Sequence, residues 1–162
     1  MNADKTVDFL IIGSGAAGVC AALYAAAQGK SVMLCEKAAK IGGTTALSNA
    51  MIWVPCSDQA KEAGIDDTLD NARTSLRGEL GNYYDEAKID NYLERGPEAI
   101  RAIEKVSEIK FTLAGAPDYH SSRAGGVDKG RALSPVPYDG RKLGDDFDLI
   151  GDPIRVVLGG MM

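Results

Sequence analysis

Three glycines and one glutamate near the start of the chain have the types and spacing needed to bind phosphate and ribose groups. Gly13, Gly15 and Gly18 follow the apolar run 7–12, and Glu36 ends a second apolar run, 18 residues beyond the last of these glycines. The first glycine permits a tight turn, the second lets the backbone approach a pyrophosphate at a positive helix N-terminus, and the third permits close helix–strand packing. An acid at this distance is suited to bind ribose hydroxyls. The pattern predicts a dinucleotide site.

Two strands and a helix must position these residues. The apolar runs 7–12 and 31–36 predict parallel strands, and the alanine-rich segment 16–28 predicts the connecting helix. The composition of that helix predicts that it is buried on most sides, and Gly29 is suited to end it. The alternative is a glycine-rich helix start that binds no ligand, which leaves Glu36 without a role.

A second glycine pair favours FAD over NAD as the dinucleotide. Gly42 and Gly43 are followed by the hydroxyl-bearing residues Thr44, Thr45 and Ser48. Backbone N–H groups at the glycines and short side-chain donors would suit a long phosphate–ribityl chain. An NAD-type unit would usually continue directly into another helix and strand. The alternative interpretation is a polar surface loop made of turn-forming residues.

These segments, with others later in the chain, carry a family resemblance. They are residues 13–18, 36–37, 42–48 and 53–55 near the start, and residues 117–120, 125–126, 137–144 and 158–162 further on. Together they resemble the N-terminal part of the fumarate reductase/succinate dehydrogenase flavoprotein superfamily, and within it the 3-ketosteroid-Δ1-dehydrogenase branch. The early segments are specific to the superfamily, whereas related enzymes share parts of the later ones.

The resemblance implies a set of FAD contacts. The first glycine turn would hold the pyrophosphate, Glu36 the adenosine ribose, and the second glycine pair with its hydroxyls the phosphates and ribityl chain, while Asn49 and Ala50 would lie near the flavin ring. The residues expected to bind FAD are Gly13, Ser14, Gly15, Ala16, Ala17, Gly18, Glu36, Lys37, Gly42, Gly43, Thr44, Thr45, Ser48, Asn49 and Ala50. Because no histidine precedes the second glycine pair, the FAD is expected to be bound non-covalently.

The resemblance also assigns a catalytic residue. Tyr119 matches a family tyrosine that lines the steroid site and supports the base that abstracts the proton. From the residues alone, Asp118 and His120 beside it leave two interpretations open, a proton relay or an ordinary polar loop. The sequence departs from the family pattern at two places: Asn49-Ala50 stand where Gly-Gly is common, and Cys56 stands where Asn is common.

The implied reaction is FAD-dependent dehydrogenation of a carbon–carbon bond next to a ketone. The resemblance favours 3-ketosteroid 1,2-dehydrogenation with hydride transfer to flavin N5, so the expected partner is a hydrophobic, steroid-like ketone. Two alternatives stay open: a fumarate-reductase-like flavin reductase of an unsaturated acid, and a noncatalytic FAD-binding fragment that needs a partner chain. The principal base and the oxyanion donors are expected to lie outside this chain.

The expected fold class is α/β. Residues 1–60 would form the N-terminal segment of a Rossmann-like FAD-binding domain with its βαβ unit, and residues 61–162 would begin an inserted α+β substrate or cap domain. Only two strands of a parallel sheet can be recognised, and such a pair is not stable by itself. The chain is therefore expected to be an N-terminal fragment, inactive alone, whose missing C-terminal half is a further partner.

The middle of the chain has helical patterns and a polar boundary. Residues 57–67 are polar and contain glycine, which suits a domain boundary. Apolar periodicity predicts helices at 69–79, 85–94 and 97–107, the last with Pro97 in its first turn. A short strand is predicted at 110–113, and residues 114–142 are predicted to be mostly loop.

Charge and cysteine content exclude several other functions. The net charge is −5, and the basic residues at positions 123, 129, 131, 141 and 142 are interpreted as scattered solvated charges, which argues against a nucleic-acid surface. Three cysteines at irregular spacing match neither a metal site nor a disulfide framework. The apolar stretch 9–27 is broken by glycines and lacks a basic leader, so no membrane segment is expected and a cytoplasmic protein is predicted.

Overall fold

A computed structural model describes residues 5–152 of the chain. Its contacts divide the described part into two compact units, one made of residues 5–50 and 138–152 and the other of residues 51–137. These units do not share the bounds 1–60 and 61–162 expected for the domains, and the functional domain assignment stays a prediction. The segment 158–162 of the family resemblance lies outside the described residues.

The first unit is built on the expected βαβ element. Strand β1 (Phe9–Ile12) pairs in parallel with strand β2 (Val32–Cys35), with Phe9 opposite Val32 and Ile12 opposite Cys35. Helix α1 (Ala16–Ala27) connects them. A parallel pair needs such a crossover, and apolar runs on either side of an alanine-rich helix favour it. The predicted Rossmann-like start is confirmed.

The expectation that α1 is buried on most sides is wrong. None of its residues is buried, and Tyr24 and Val19 are each about half exposed. On β1, Ile12 is 84% exposed. The reason is that this sheet has two strands among the described residues, whereas a parallel sheet normally covers both faces with helices and is several strands wide. The described residues therefore leave much of the apolar surface of α1 and β1 uncovered.

The rest of the first unit brings a late segment back to an early one. Helix α2 (Gly43–Leu47) follows Gly42, and a 3₁₀ segment kinked at Gly144 spans Gly140–Leu149. The N–H of Ile41 donates to the Leu149 carbonyl at 2.7 Å, and the N–H of Gly151 donates to the Ile41 carbonyl at 2.8 Å. The residue before the second glycine pair is therefore bonded to the late segment on both its N–H and its carbonyl.

The second unit packs helices on a small antiparallel sheet. The strands, in the order β3-β5-β4, are β3 (Ile52–Trp53), β5 (Ala132–Pro135) and β4 (Phe111–Leu113). The helices are α3 (Asp58–Glu62), α4 (Leu69–Leu80) and α5 (Glu86–Val106), with a 3₁₀ turn at Gly81–Tyr83. The core of this unit consists of buried Val54, Ile100 and Leu133. None of the helices within residues 5–152 is long and apolar enough to cross a membrane.

The helix near 69–79, the strand near 110–113 and the mostly looped segment 114–142 are confirmed, and the division of residues 85–107 into two helices is corrected. Residues Glu86–Val106 form one helix that continues through Pro97, because Leu93 and Ile100 on either side of the proline are both buried and packing offsets the lost hydrogen bond. The polar segment 57–67 contains α3, which begins at the buried cap Ser57. The segment 114–142 contains β5, the central strand of the sheet.

Candidate functional site

The first glycine turn has the geometry that its spacing predicts. Gly13 has φ +97°, in the region that favours glycine, and its N–H donates to the Cys35 carbonyl at 2.7 Å. A Cβ placed on Gly18 would lie 1.9 Å from the Gly13 carbonyl oxygen, so helix and turn are too close for any side chain there. A Cβ on Gly15 would meet no atom within 4 Å. The open position is the one expected to face the pyrophosphate.

Glu36 is tied to the same turn by Ser14. The N–H and Oγ of Ser14 donate to Glu36 Oε2 at 2.9 and 2.6 Å, and the Ala38 N–H donates to Oε1 at 2.9 Å. Ser14 is 2% exposed, whereas the Glu36 side chain is partly open to solvent. The Ser14 hydroxyl bond, with the Ala38 and Ser14 backbone bonds, lowers the pKa of Glu36 to about 2. The carboxylate is therefore ionised at neutral pH and keeps acceptor capacity for ribose hydroxyls.

The second glycine pair joins this cluster. The N–H of Gly42 donates to Ser14 Oγ at 2.9 Å, and the N–H of Ala16 donates to Thr45 Oγ1 at 3.0 Å. A Cβ on Gly43 would lie 3.7 Å from the Gly15 Cα atom. The end of β1, the end of β2 and the start of α2 thus meet at one place, as the interpretation of two glycine motifs requires.

Of the other expected FAD residues, Ser48 is bonded to the cluster through Thr45. Ala17 and Gly18 are in the first turn of α1, and the side chains of Lys37, Thr44 and Asn49 are exposed. Ser48 ends α2: its Oγ donates to the Thr45 carbonyl at 2.9 Å and accepts from the Ala50 N–H at 3.0 Å. These placements leave the assigned contacts as predictions.

Both departures from the family pattern fall at left-handed backbone positions. Ala50 has φ +54° and Cys56 has φ +55°, and these two are the non-glycine residues with positive φ among residues 5–152. A Cβ in this region is strained, and glycine or asparagine tolerates it better. Glycine and asparagine are the residues that the family pattern has at these positions. The side chains at these two positions are therefore less suited to the backbone that they adopt.

The residues present fit a bound dinucleotide. Helix α1 begins without a side-chain cap and without an acid in its first turn, which leaves room for an anion at its positive end. The approach at Gly15 is open, and an ionised carboxylate stands next to it. This combination suits a pyrophosphate with an attached ribose.

A cavity of about 420 Å³ lies in the second unit. Its lining comes from β3, α4 and the segment that contains Tyr119, and is mainly apolar. The lining residues are Met51, Ile52, Trp53, Ser75, Leu76, Glu79, Ala116, Pro117, Asp118, Tyr119, His120 and Ala132. A cavity of this size and character suits a small, mostly apolar molecule.

The Tyr119 loop is fixed to α4 while its phenol stays exposed. Tyr119 is fully exposed at the cavity. Next to it, His120 Nδ1 lies 2.8 Å from Glu79 Oε1, and Arg123 donates to the same oxygen at 3.2 Å. The side chain expected to do chemistry is thus free to meet a ligand, whereas its neighbours are held.

The assignment of Arg131 as a solvated charge is wrong. Arg131 is 1% exposed, and its guanidinium donates to both carboxylate oxygens of Asp67, at 2.8 and 2.7 Å, and to Asp118 Oδ2 at 2.8 Å. Burial acts to lower the pKa of this guanidinium, but the hydrogen bonds and charges of Asp67 and Asp118 outweigh it and the pKa is raised. Arg131 is a buried structural cation.

Reasoning from the sequence missed Arg131, Asp67 and the cavity role of Trp53. Arg131 is 64 positions from Asp67 and 13 from Asp118 along the chain, and local patterns carry no information on such pairings. Trp53, the one tryptophan of the chain, was noted as part of a family motif only. Its indole N–H donates to Asp118 Oδ1 at 2.7 Å. The available signal was a single tryptophan with a proline two residues later.

Comparison with known proteins now identifies the class. Residues 8–150 match the family described as FAD binding domain, and the chain belongs to that family. FAD is the cofactor of the family, which confirms the predicted cofactor and the flavoprotein resemblance. Within the family, the relatives and solved structures that match include ketosteroid dehydrogenases, as the resemblance implied.

Three matches illustrate this. The chain is 42% identical over 147 residues to 3-oxosteroid 1-dehydrogenase of Mycolicibacterium smegmatis, covering 90% of this chain and 26% of that protein. It is 39% identical over 145 residues to 4-oxocyclohex-2-ene-1-carboxylate 5-dehydrogenase of Sinomonas cyclohexanicum, covering 88% and 24%. The crystal structure of 3-ketosteroid Δ1-dehydrogenase from Sterolibacterium denitrificans with 1,4-androstadiene-3,17-dione matches with a TM-score of 0.84 at 31% identity, covering 91% and 26%. The chain spans about a quarter of the length of these relatives.

Proposed function

We propose that this chain is the FAD-binding and cavity-forming part of a flavoenzyme that dehydrogenates a 3-ketosteroid at the bond between carbons 1 and 2. The observation that carries the proposal is the cavity beside Tyr119, on a chain whose other unit has the FAD motif. The ketosteroid dehydrogenase relatives support the same reaction. Catalysis needs the other three quarters that these relatives have, in the same polypeptide or in a partner chain.

The lining of the cavity favours a neutral ketone over a carboxylate substrate. Among the described residues that line it, two are acids, Asp118 and Glu79, and none is Lys or Arg. The nearby Arg131 and Arg123, and the lining residue His120, are already bonded to those two acids. A substrate carboxylate would therefore meet acceptors without a free cation, which is unfavourable. This argues against both an unsaturated acid and a cyclic keto acid as substrate.

The chain's own residues bind and orient in this reaction. FAD, when bound, supplies the hydride acceptor. Tyr119 would place a phenol against the ketone-bearing ring and support the base that removes the α-proton. Trp53 and Leu76 would exclude water along the apolar flank. The principal base and oxyanion donors belong to the part of the relatives that this chain does not span.

We propose that FAD is bound by the residues that the sequence predicts. Gly13, Ser14, Gly15, Ala16, Ala17 and Gly18 would hold the pyrophosphate, with Glu36 and Lys37 at the ribose. Gly42, Gly43, Thr44, Thr45, Ser48, Asn49 and Ala50 would follow the ribityl chain to the flavin. Residues 1–60 would belong to the FAD-binding domain and residues 61–162 to the substrate domain, with the FAD non-covalent and the enzyme cytoplasmic.

A chimera tests the proposal. Residues 8–150 of this chain would replace the segment that they match in the Mycolicibacterium smegmatis enzyme, with a 3-keto-4-ene steroid as substrate and a dye as electron acceptor. We expect flavin-containing protein that turns over the steroid. Tyr119→Phe should lower kcat about 100-fold, because it removes the phenol proton and little volume. The flavin spectrum of the variant is the control, since it should not change.

Two results would contradict the proposal. One is a flavin-loaded chimera that oxidises a 4-oxocyclohexanecarboxylate and not the steroid. The other is a Tyr119→Phe chimera with unchanged turnover. A chimera that fails to bind flavin would instead contradict the cofactor contacts proposed above.

A further inference from the structure

Every polar atom of Asp118 has a partner. Its Oδ1 accepts from the Trp53 indole N–H at 2.7 Å, and its Oδ2 accepts from Arg131 at 2.8 Å and from the Val127 N–H at 3.3 Å. Its backbone N–H donates to the Val127 carbonyl, and its carbonyl accepts from the Ser121 N–H. Asp118 therefore holds the backbone next to Tyr119 and, together with the stacked ring of Tyr92, the orientation of the Trp53 ring.

Arg131 decides which oxygen of Asp118 faces Trp53. Two of its donors are held by Asp67 in a fork, so its remaining contact with Asp118 has a fixed direction. The Asp67 and Arg131 side chains are at most 1% exposed, so water does not compete for these bonds. The guanidinium carbon also lies 5.5 Å from the centre of the Trp53 ring. Asp67 and Arg131 do not line the cavity, but Arg131 contacts Asp118 and Trp53, which do.

We propose that Asp67 and Arg131 are positioning residues: through Asp118 they set Trp53 and Tyr119 against the ligand in the cavity. Neither residue touches the ligand. The part of this proposal that concerns a ligand rests on the proposed function, and the part that concerns Trp53 and Tyr119 does not. The two parts are measured separately below.

The test compares Asp67→Asn with a matched change elsewhere in the same unit. Asp67→Asn weakens the fork to Arg131 with almost no change in volume. Asp90→Asn is the control, because it weakens in the same way a comparably short bond, 2.6 Å to Arg73, between helices α4 and α5. Leu93→Ala is a second control, since it truncates a buried side chain of α5 that does not line the cavity.

The first readout needs no ligand. Because the chain has one tryptophan, one indole N–H resonance reports the bond to Asp118, and the amide resonance of Tyr119 reports the loop. We expect Asp67→Asn to move both resonances and both controls to leave them in place. If Asp67→Asn does not fold, Arg131→Lys is measured in its place. Independently of any variant, we expect the indole hydrogen of Trp53 to exchange slowly with solvent in the unaltered chain. Unmoved resonances, equal movement in the controls, or a rapidly exchanging indole hydrogen would overturn the proposal.

The second readout is the affinity for a 3-keto-4-ene steroid, followed by Trp53 fluorescence. We expect Asp67→Asn to raise the Kd about tenfold, with Asp90→Asn unchanged. An unchanged Kd in Asp67→Asn would overturn the positioning role even where the resonances move. Failure of the unaltered chain to bind the steroid would count against the proposed function, and the first readout would then decide the positioning of Trp53 and Tyr119.

Discussion

At the scale of single residues, Gly15 and Gly18 serve different purposes although they belong to one motif. A Cβ on Gly18 would collide with the Gly13 carbonyl oxygen at 1.9 Å, so Gly18→Ala should destabilise the first unit by about 1–3 kcal/mol. A Cβ on Gly15 meets no atom, so Gly15→Ala should change stability by less than about 1 kcal/mol while blocking the pyrophosphate. Urea unfolding of the chain and flavin content of the chimera separate the two. Equal effects of both changes on stability would contradict this assignment.

Glu36 predicts an acid dependence of stability. Its pKa is lowered from 4.5 to about 2 in the folded chain, so its ionised form stabilises the fold. That contribution is fully present above the unfolded pKa and is lost as the pH falls from about 4.5 towards 2. Urea unfolding should therefore show the unaltered chain more stable than Glu36→Gln at pH 6, with the difference shrinking across this window. A difference that stays constant down to pH 2 would show that the Ser14 bonds do not act through the carboxylate charge.

Cys56 predicts a gain in stability on substitution. Its φ of +55° is strained for cysteine, and asparagine adopts this region more readily, so Cys56→Asn should stabilise the chain by about 1 kcal/mol. Cys56→Ala is the control, because alanine keeps the strained Cβ and should bring no gain. Thermal unfolding of the three proteins measures the difference. Stabilisation by alanine equal to that by asparagine would locate the effect in the thiol and not in the backbone.

At the scale of elements, the Tyr119 loop depends on how closely it packs against α4. Gly125 in this loop has φ +77°, and a Cβ there would lie 2.4 Å from the Asn71 carbonyl oxygen and 2.6 Å from the Ser75 nitrogen. Gly125→Ala should move the loop from the helix, destabilise the second unit by about 1–3 kcal/mol and weaken steroid binding. Gly115→Ala, whose Cβ meets no atom, is the matched control. Unfolding and Trp53 fluorescence follow both effects, and equal behaviour of the two variants would contradict this packing.

The same scale shows what the sequence could predict. The βαβ unit, α4 and β4 followed from local periodicity, and the tight turn at Gly13 followed from glycine spacing. The continuous α5 did not, because burial on both sides of Pro97 is a tertiary effect. The burial of Arg131 did not either, since its partners are distant in sequence and its charge by itself suggests solvent. Neighbouring residues determine single helices and strands, whereas the lining of the cavity comes from residues that are distant along the chain.

At the scale of the whole molecule, the chain divides its tasks between two compact units. One carries the glycine turns of an FAD-binding family, and the other carries a mainly apolar cavity with an exposed phenol. The half-exposed α1 and the quarter-length coverage of its relatives agree with a role inside a larger enzyme. The central claim is that the cavity of the second unit receives a neutral steroid ketone.

The measurement that tests this claim most directly is a titration of the 162-residue chain by Trp53 fluorescence. The ligands are a 3-keto-4-ene steroid and 4-oxocyclohexanecarboxylate, which differ in whether a carboxylate accompanies the ketone. The account predicts saturable quenching by the steroid, weakened by Asp67→Asn, and no response to the carboxylate. Binding of the carboxylate with no response to the steroid would contradict it.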